Sequence, residues 1–224
     1  MQRHLNFSIG EYYHAYTRGN DKRKIFLEEK DYIRFLVLLY TSNSTETIHL
    51  SNFNGLGKIS GLLKMFNQKR KDTLVDIGAY CLMPNHIHLL LKEKVDGGIS
   101  LFTKKLFTGY SMYFNRKHQR TGKLYDSVFI AEHVDDDNYL KYLYAYIHLN
   151  PISLVERKWK EKIINDKVQA KNFLSKYSYS SYLDYIGIIR EEKKILNTGA
   201  FPEYFETVSD FDSMINEWMD FEVI

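Results

Sequence analysis

The sequence predicts an α+β fold, and three observations predict it. Residues 74–82 and 86–93 are apolar runs joined by Pro84-Asn85, which reads as a β-hairpin. Residues 28–40, 100–118 and 135–150 carry apolar side chains at steps of three and four, which reads as amphipathic helix. The 224 residues are 44% hydrophobic with one cysteine, enough for a sizeable core and too little sulfur for a disulfide framework or a cysteine-built zinc site.

The elements follow in order. Residues 1–10 read as a lead-in. Residues 11–18 alternate as a strand that closes at Gly19-Asn20. In the helix over 28–40, Tyr32, Phe35, Leu36 and Leu39 share a face, and Glu28 and Asp31 suit its N-terminal dipole. Polar residues 41–57 form a loop, and Ile59, Leu62, Leu63 and Phe66 pattern a short helix within 58–69. After the hairpin, Gly97-Gly98 breaks the chain, and Ser100 is the expected N-cap of the helix to His118. Residues 124–134 read as a strand. Residues 135–137 cap the next helix, which Pro151 ends. Residues 155–168 read as a charged helix, and the acidic tail from Thr198 as a packing helix with Phe205, Phe211, Met214, Ile215 and Trp218.

Net charge is +3, from 31 basic and 28 acidic residues, too small to argue nucleic-acid binding by itself. Basic residues do cluster, at 22–24, 69–71, 116–120 and 157–160, and such patches hold phosphates or simply face water. No run of 18 apolar residues suggests a membrane span, and the polar N-terminal residues suggest no secretory leader, so a cytoplasmic protein is expected.

Chemistry concentrates in two places. In Cys81-Leu-Met-Pro-Asn-His86-Ile-His88, the two histidines alternate onto one strand face, side by side, as two ligands of one divalent metal would be. Ordinary half-buried histidines give the same pattern, so a third ligand decides. On the helix over 135–150, Tyr139, Tyr142, Tyr146 and Asn150 form one stripe, while Leu140, Leu143 and Ile147 form the burying one. If that helix packs on the hairpin, Asn150 supplies the third ligand and Tyr146 offers a nucleophilic hydroxyl. Phosphate oxygens would complete the coordination, with Mg²⁺ or Mn²⁺ expected and Zn²⁺ tolerated by imidazole.

The segments Tyr13-His-Ala-Tyr-Thr-Arg-Gly-Asn20, Tyr80-Cys-Leu-Met-Pro-Asn-His-Ile-His88, Tyr113-Phe-Asn-Arg116, Thr121-Gly-Lys-Leu-Tyr125, Tyr146-Ile-His-Leu-Asn-Pro151 and Tyr179-Ser-Ser-Tyr-Leu-Asp-Tyr-Ile-Gly187 together resemble the single-tyrosine HUH transposases, most of all the REP-associated tyrosine transposases. The resemblance implies a ferredoxin-like antiparallel sheet with helices packed on one face. It implies a catalytic domain over residues 1–187, with residues 188–224 an extension of unknown role. It implies cleavage and rejoining of single-stranded DNA bearing hairpins, a 5′-phosphotyrosine intermediate, and a homodimer, in which the tyrosine helix of some relatives completes the partner's site. By match to the motifs, Tyr146 is the nucleophile and His86, His88 and Asn150 the metal ligands. Arg18, Arg116, Lys117, Arg120 and Lys123 are candidate DNA contacts. The chain departs from the pattern at residues 124–130, where the family usually carries a Trp and basic residues. Here Tyr125 is the aromatic and there is no Arg or Lys. That thinner basic surface favours an alternative, a DNA-binding protein that recognises repeat hairpins without cutting them. A metal-dependent hydrolase of another phosphoester would need a carboxylate near the histidines, and Glu93 alternates away from them.

Overall fold

The computed structural model describes residues 6–127, 129–156, 158–159 and 164–220. Four strands, β1 (Tyr12–Arg18), β2 (Val75–Met83), β3 (His86–Glu93) and β4 (Ile130–Val134), pair in the order β2-β3-β1-β4, with every pairing antiparallel. The helices α1 (Glu29–Ser42) and α3 (Gly98–Lys117) make the two crossovers. This βαββαβ topology is the ferredoxin-like arrangement. A short helix α2 (Ile59–Leu63) sits in the first crossover.

The alternation of β3 sorts its side chains. Ile87, Leu89 and Leu91 join Phe35, Leu36, Phe102, Leu106 and Tyr110 of α1 and α3 in one core. Full burial of side chains of this size stabilises by about 1.5–3 kcal/mol each. On β2 the alternation survives through a bulge at Gly78, which puts Ile77 and Tyr80 on that same face and Ala79, Cys81 and Met83 on the other. A side chain at Gly78 would meet the Phe201 ring at 2.9 Å, so the bulge needs glycine.

The second face is covered as well. Helix α4 (Asp137–Leu149) lays Leu140, Leu143 and Ile147 on Ala79, Cys81, Met83 and Leu90. The sequence placed the helices on one face; α1 and α3 do share one, and α4 takes the other because its apolar stripe matches the short apolar residues of β2 there. Asp136 caps α4 by accepting from the Tyr139 N–H at 2.8 Å. The chain then continues through a 3₁₀ turn, Asn150–Leu154, with Pro151 near its start rather than simply ending the helix.

Two boundaries differ from expectation. α3 begins at Gly98, two residues before Ser100, and no side chain of its own caps it. The buried Glu93 carboxylate accepts from the Gly98 and Ile99 N–H groups at 3.0 and 2.7 Å instead, across Gly97 in a left-handed conformation (φ 68°). The strand expected over 124–134 forms only from Ile130; Tyr125 makes an isolated bridge to Gly19. The helix expected over residues 155–168 falls partly outside the described residues, and α5 (Lys167–Leu174) starts near its end.

The tail folds back on α4. After α6 (Tyr182–Tyr185), Arg190 donates to Asp184 at 2.9 and 2.5 Å, to the Ser178 and Ser180 carbonyls, and to the Tyr80 hydroxyl. The helix α7 (Val208–Asp220) packs Phe211, Ile215 and Met219 on Ala145 and Leu149. No helix among the described residues is long and apolar enough to cross a membrane.

Candidate active site

Three strands and one helix build a cleft of about 550 Å³ on the face that α4 half covers. The register brings the floor together. Tyr16 of β1 lies opposite His88 of β3, Arg18 opposite His86, and His14 opposite Glu132 of β4. All six side chains line the cleft. The wall is the tyrosine stripe of α4: Tyr139, Tyr142 and Tyr146, with ring centroids 5.9 and then 5.7 Å apart.

The histidines are held in a way that suits metal ligation. Their rings are 5.1 Å apart and perpendicular. His86 Nδ1 meets Asn85 Oδ1 at 2.8 Å, and His88 Nδ1 meets His14 Nε2 at 2.9 Å. A metal-ligating imidazole is commonly oriented through its other nitrogen in this manner. His14 and His88 are only 5% and 6% exposed. Burial lowers His14 to about 4 against the opposing charge of Glu132, so its ring is neutral at ordinary pH.

Tyr146 is brought to this pair. Its ring stands edge-on to His88 at 5.3 Å and to His14 at 6.0 Å. The contact is made within the one chain, because the apolar stripe of α4 docks on its own sheet. The other tyrosines are differently placed. Tyr16 donates to Glu132 Oε1 at 2.8 Å and Tyr139 to Oε2 at 3.3 Å. Burial first, then Glu132, pushes both hydroxyls up to about 12.

Asn150 does not line the cleft. It is fully buried, its amide N–H donates to the Tyr146 carbonyl at 2.9 Å, and its Oδ1 has no hydrogen-bond partner among the described residues. Among them, no three His, Cys, Asp or Glu side chains are grouped to hold a metal. The groups on offer to a metal are the two oriented imidazoles of the cleft and, outside its lining, a buried amide oxygen lacking a donor. Such an oxygen is the kind of group that needs a partner of some sort, and the mixed N/O set suits Mn²⁺ or Zn²⁺ better than Mg²⁺.

Of the basic candidates, Arg18 lines the cleft. Arg116 and Lys123 are exposed. Lys117 is turned toward α1, with Glu28 at 2.5 Å and Asp31 at 2.6 Å. Arg120 donates to Asn115 Oδ1 at 3.2 Å and lies over Phe114. Sequence reasoning gave no role to His14, Tyr16 or Glu132. The alternation of β1 puts His14 and Tyr16 on one face, but which strands flank them depends on a register that local pattern does not contain.

Residues 10–150 match the IS200-like transposase family. The chain belongs to that family. Its activity is that of a transposase. One solved structure, a REP-associated tyrosine transposase bound to a REP hairpin, is similar over 86% of this chain and 90% of that chain, at 11% identity and a TM-score of 0.48. No curated protein matches this transposase.

Proposed function

We propose that this transposase cleaves and rejoins single-stranded DNA with Tyr146 as its nucleophile and a divalent metal held by His86 and His88, with Asn150 as a third ligand. The observation that carries the reading is the packing of Tyr146 against His88 at 5.3 Å within one cleft. A phenol set beside one of the two proposed metal ligands is placed to attack a phosphodiester held there.

The residues divide the work. Tyr146 is half-buried on the cleft wall, so its hydroxyl meets a strand laid along the floor. The hydroxyl proton leaves to water, the phenolate oxygen bonds to phosphorus, and the bond from phosphorus to the 3′ oxygen breaks. That oxygen takes up a proton, and a 5′-phosphotyrosine with a free 3′-hydroxyl results. The reverse reaction with a different 3′-hydroxyl transfers the strand. A bound divalent metal would polarise the scissile phosphate and offset charge on its oxygens. Arg18, at the end of β1 opposite His86, supplies a guanidinium for an adjacent phosphate. The tyrosines Tyr139 and Tyr142 offer ring faces for unpaired bases.

DNA carrying a hairpin is the proposed substrate, as the family resemblance implies. Residues 1–187 form the proposed catalytic unit and residues 188–224 an extension, whose α7 braces α4 from behind. A homodimer is also proposed, with β4 at the open edge of the sheet as a pairing surface. The test is nicking of end-labelled single-stranded hairpin DNA with Mn²⁺ or Mg²⁺. Product that depends on metal and is lost in His86→Ala and Tyr146→Phe supports the reading. Tight binding with no cut product under any metal overturns it in favour of a DNA-binding role without cleavage.

A further inference from the structure

We propose that His148 and Ser181 are positioning residues for Tyr146: the hydrogen bond between them fixes how α4 is turned about its own axis, and so where the Tyr146 hydroxyl meets the DNA strand. The inference rests on the reading of Tyr146 as the nucleophile. His148 Nε2 and Ser181 Oγ are 2.7 Å apart, and both residues are fully buried.

The partners on either side of this contact decide which group donates. His148 Nδ1 lies 2.8 Å from the Tyr144 carbonyl, which can only accept. Burial lowers the His148 pKa to about 3, so the ring is neutral at ordinary pH. Its one proton is therefore on Nδ1, and Nε2 accepts from the Ser181 hydroxyl. Ser181 is itself fastened to the sheet. Its N–H donates to the Tyr80 carbonyl at 3.0 Å, and its Oγ accepts from the Tyr80 N–H at 2.9 Å. The Tyr80 carbonyl also lies 3.2 Å from Oγ, but it already receives the Ser181 N–H. Beside it the Leu82 N–H donates to the Tyr179 carbonyl at 2.9 Å, so residues 179–181 run along the outer edge of β2. The connection passes from β2 through Ser181 and His148 to α4.

That tie acts on the side of the helix away from the cleft. Two residues along an α-helix turn a side chain through about 200°. Tyr146 therefore lines the cleft while His148 packs on Tyr185 and Phe211, with ring centroids at 4.9 and 5.2 Å. Leu140, Leu143 and Ile147 hold α4 down on the sheet, but apolar contact is non-directional. The His148–Ser181 bond is directional. A group about 6 Å from a helix axis moves by about 1 Å when the helix turns by about 10°. A misplacement of that size costs about 10²-fold in rate where reacting atoms must align.

The test compares the full-length wild type with Ser181→Ala, His148→Leu, His148→Gln, the double variant Ser181→Ala/His148→Leu, and Tyr146→Phe. Single-turnover cleavage of labelled single-stranded hairpin DNA with Mn²⁺ is measured under excess protein, beside the Kd for the same DNA. The temperature is one at which circular dichroism shows each variant folded. The Gln side chain places an acceptor oxygen near the Nε2 position; Leu has none. The expected result is cleavage slower by about 10-fold to 10²-fold in Ser181→Ala and in His148→Leu, with Kd unchanged. The double variant is expected to lose nothing further, and His148→Gln to recover most of the rate. A wild-type rate in folded Ser181→Ala overturns the proposal, as do losses that follow Kd or that multiply in the double variant. Nitrogen-15 NMR of the wild-type imidazoles needs no variant: Nδ1–H on His148 is expected, and Nε2–H overturns the proposal. Wild-type cleavage by Tyr146→Phe refutes the nucleophile reading, and this proposal with it. An inactive Tyr146→Phe beside a wild-type rate in Ser181→Ala refutes this proposal alone.

Discussion

Tyr146 differs from Tyr139 and Tyr142 by what each touches, not by its place in the stripe. Tyr139 is tied to Glu132, and Tyr146 stands beside His88 and His14. Under the proposed function, removing its hydroxyl takes away the reacting atom without opening a cavity. Tyr146→Phe is expected to melt within a few degrees of wild type and to lose strand cleavage by at least about 10³-fold, measured by scanning calorimetry beside a nicking assay. A different arrangement holds Asp31. Its carboxylate is fully buried, and Lys117, the Leu27 N–H and Tyr113 surround it. Asp31→Asn leaves the Lys117 ammonium without its buried partner and is expected to cost about 3 kcal/mol in urea unfolding. The Lys117 side chain thereby links α1 and α3.

At the scale of elements, the periodic segments were legible and the non-local contacts were not. The helix over 28–40 was marked by Tyr32, Phe35, Leu36 and Leu39, and the hairpin by Pro84-Asn85, because each signal lies within a few residues of the element it specifies. The start of α3 was misplaced for the opposite reason. Ser100 has a good capping side chain, but Glu93 reaches over from the end of β3 and wins, being buried beside the first turn. Glu93→Ala removes an acceptor for two N–H groups and is expected to destabilise the protein by about 2 kcal/mol, with loss of amide protection confined first to residues 98–101 in hydrogen exchange. The His-x-His pair and the tyrosine stripe were legible by alternation and by helical spacing. Their meeting was inferred only from an assumed docking of the helix. Asn150, placed with them by spacing, is fully buried and does not itself line the cleft. The His14–His88 contact spans 74 residues and rests on strand register, so no local pattern carries it.

For the molecule as a whole, the C-terminal segment and the acidic cluster at α1 set two global properties. Arg190 neutralises Asp184, whose side chain is 1% exposed, and ties the chain after residue 187 to β2 through Tyr80. Arg190→Ala is expected to cost about 3–5 kcal/mol, read as a lower midpoint in urea, since it strands a buried carboxylate. The second property is acid sensitivity. Burial raises the Asp31 carboxyl, but its hydrogen bonds and the Lys117 charge outweigh that and hold it below the ordinary 3.8. A depressed carboxyl stabilises the fold fully above pH 3.8 and loses that contribution as pH falls through its folded value. The wild type is therefore expected to lose stability below about pH 4 more steeply than Asp31→Asn, in calorimetry across pH 2–6.

The central claim is that one tyrosine among the three on the wall of the cleft forms the covalent link to DNA. The direct measurement is to trap the adduct on single-stranded hairpin DNA with Mn²⁺, trim the DNA with nuclease, and locate the modified residue by tandem mass spectrometry. A nucleotide remnant on Tyr146, and on neither Tyr139 nor Tyr142, is the expected result. A remnant on another residue, or strand cleavage that leaves no covalent adduct, would contradict the account.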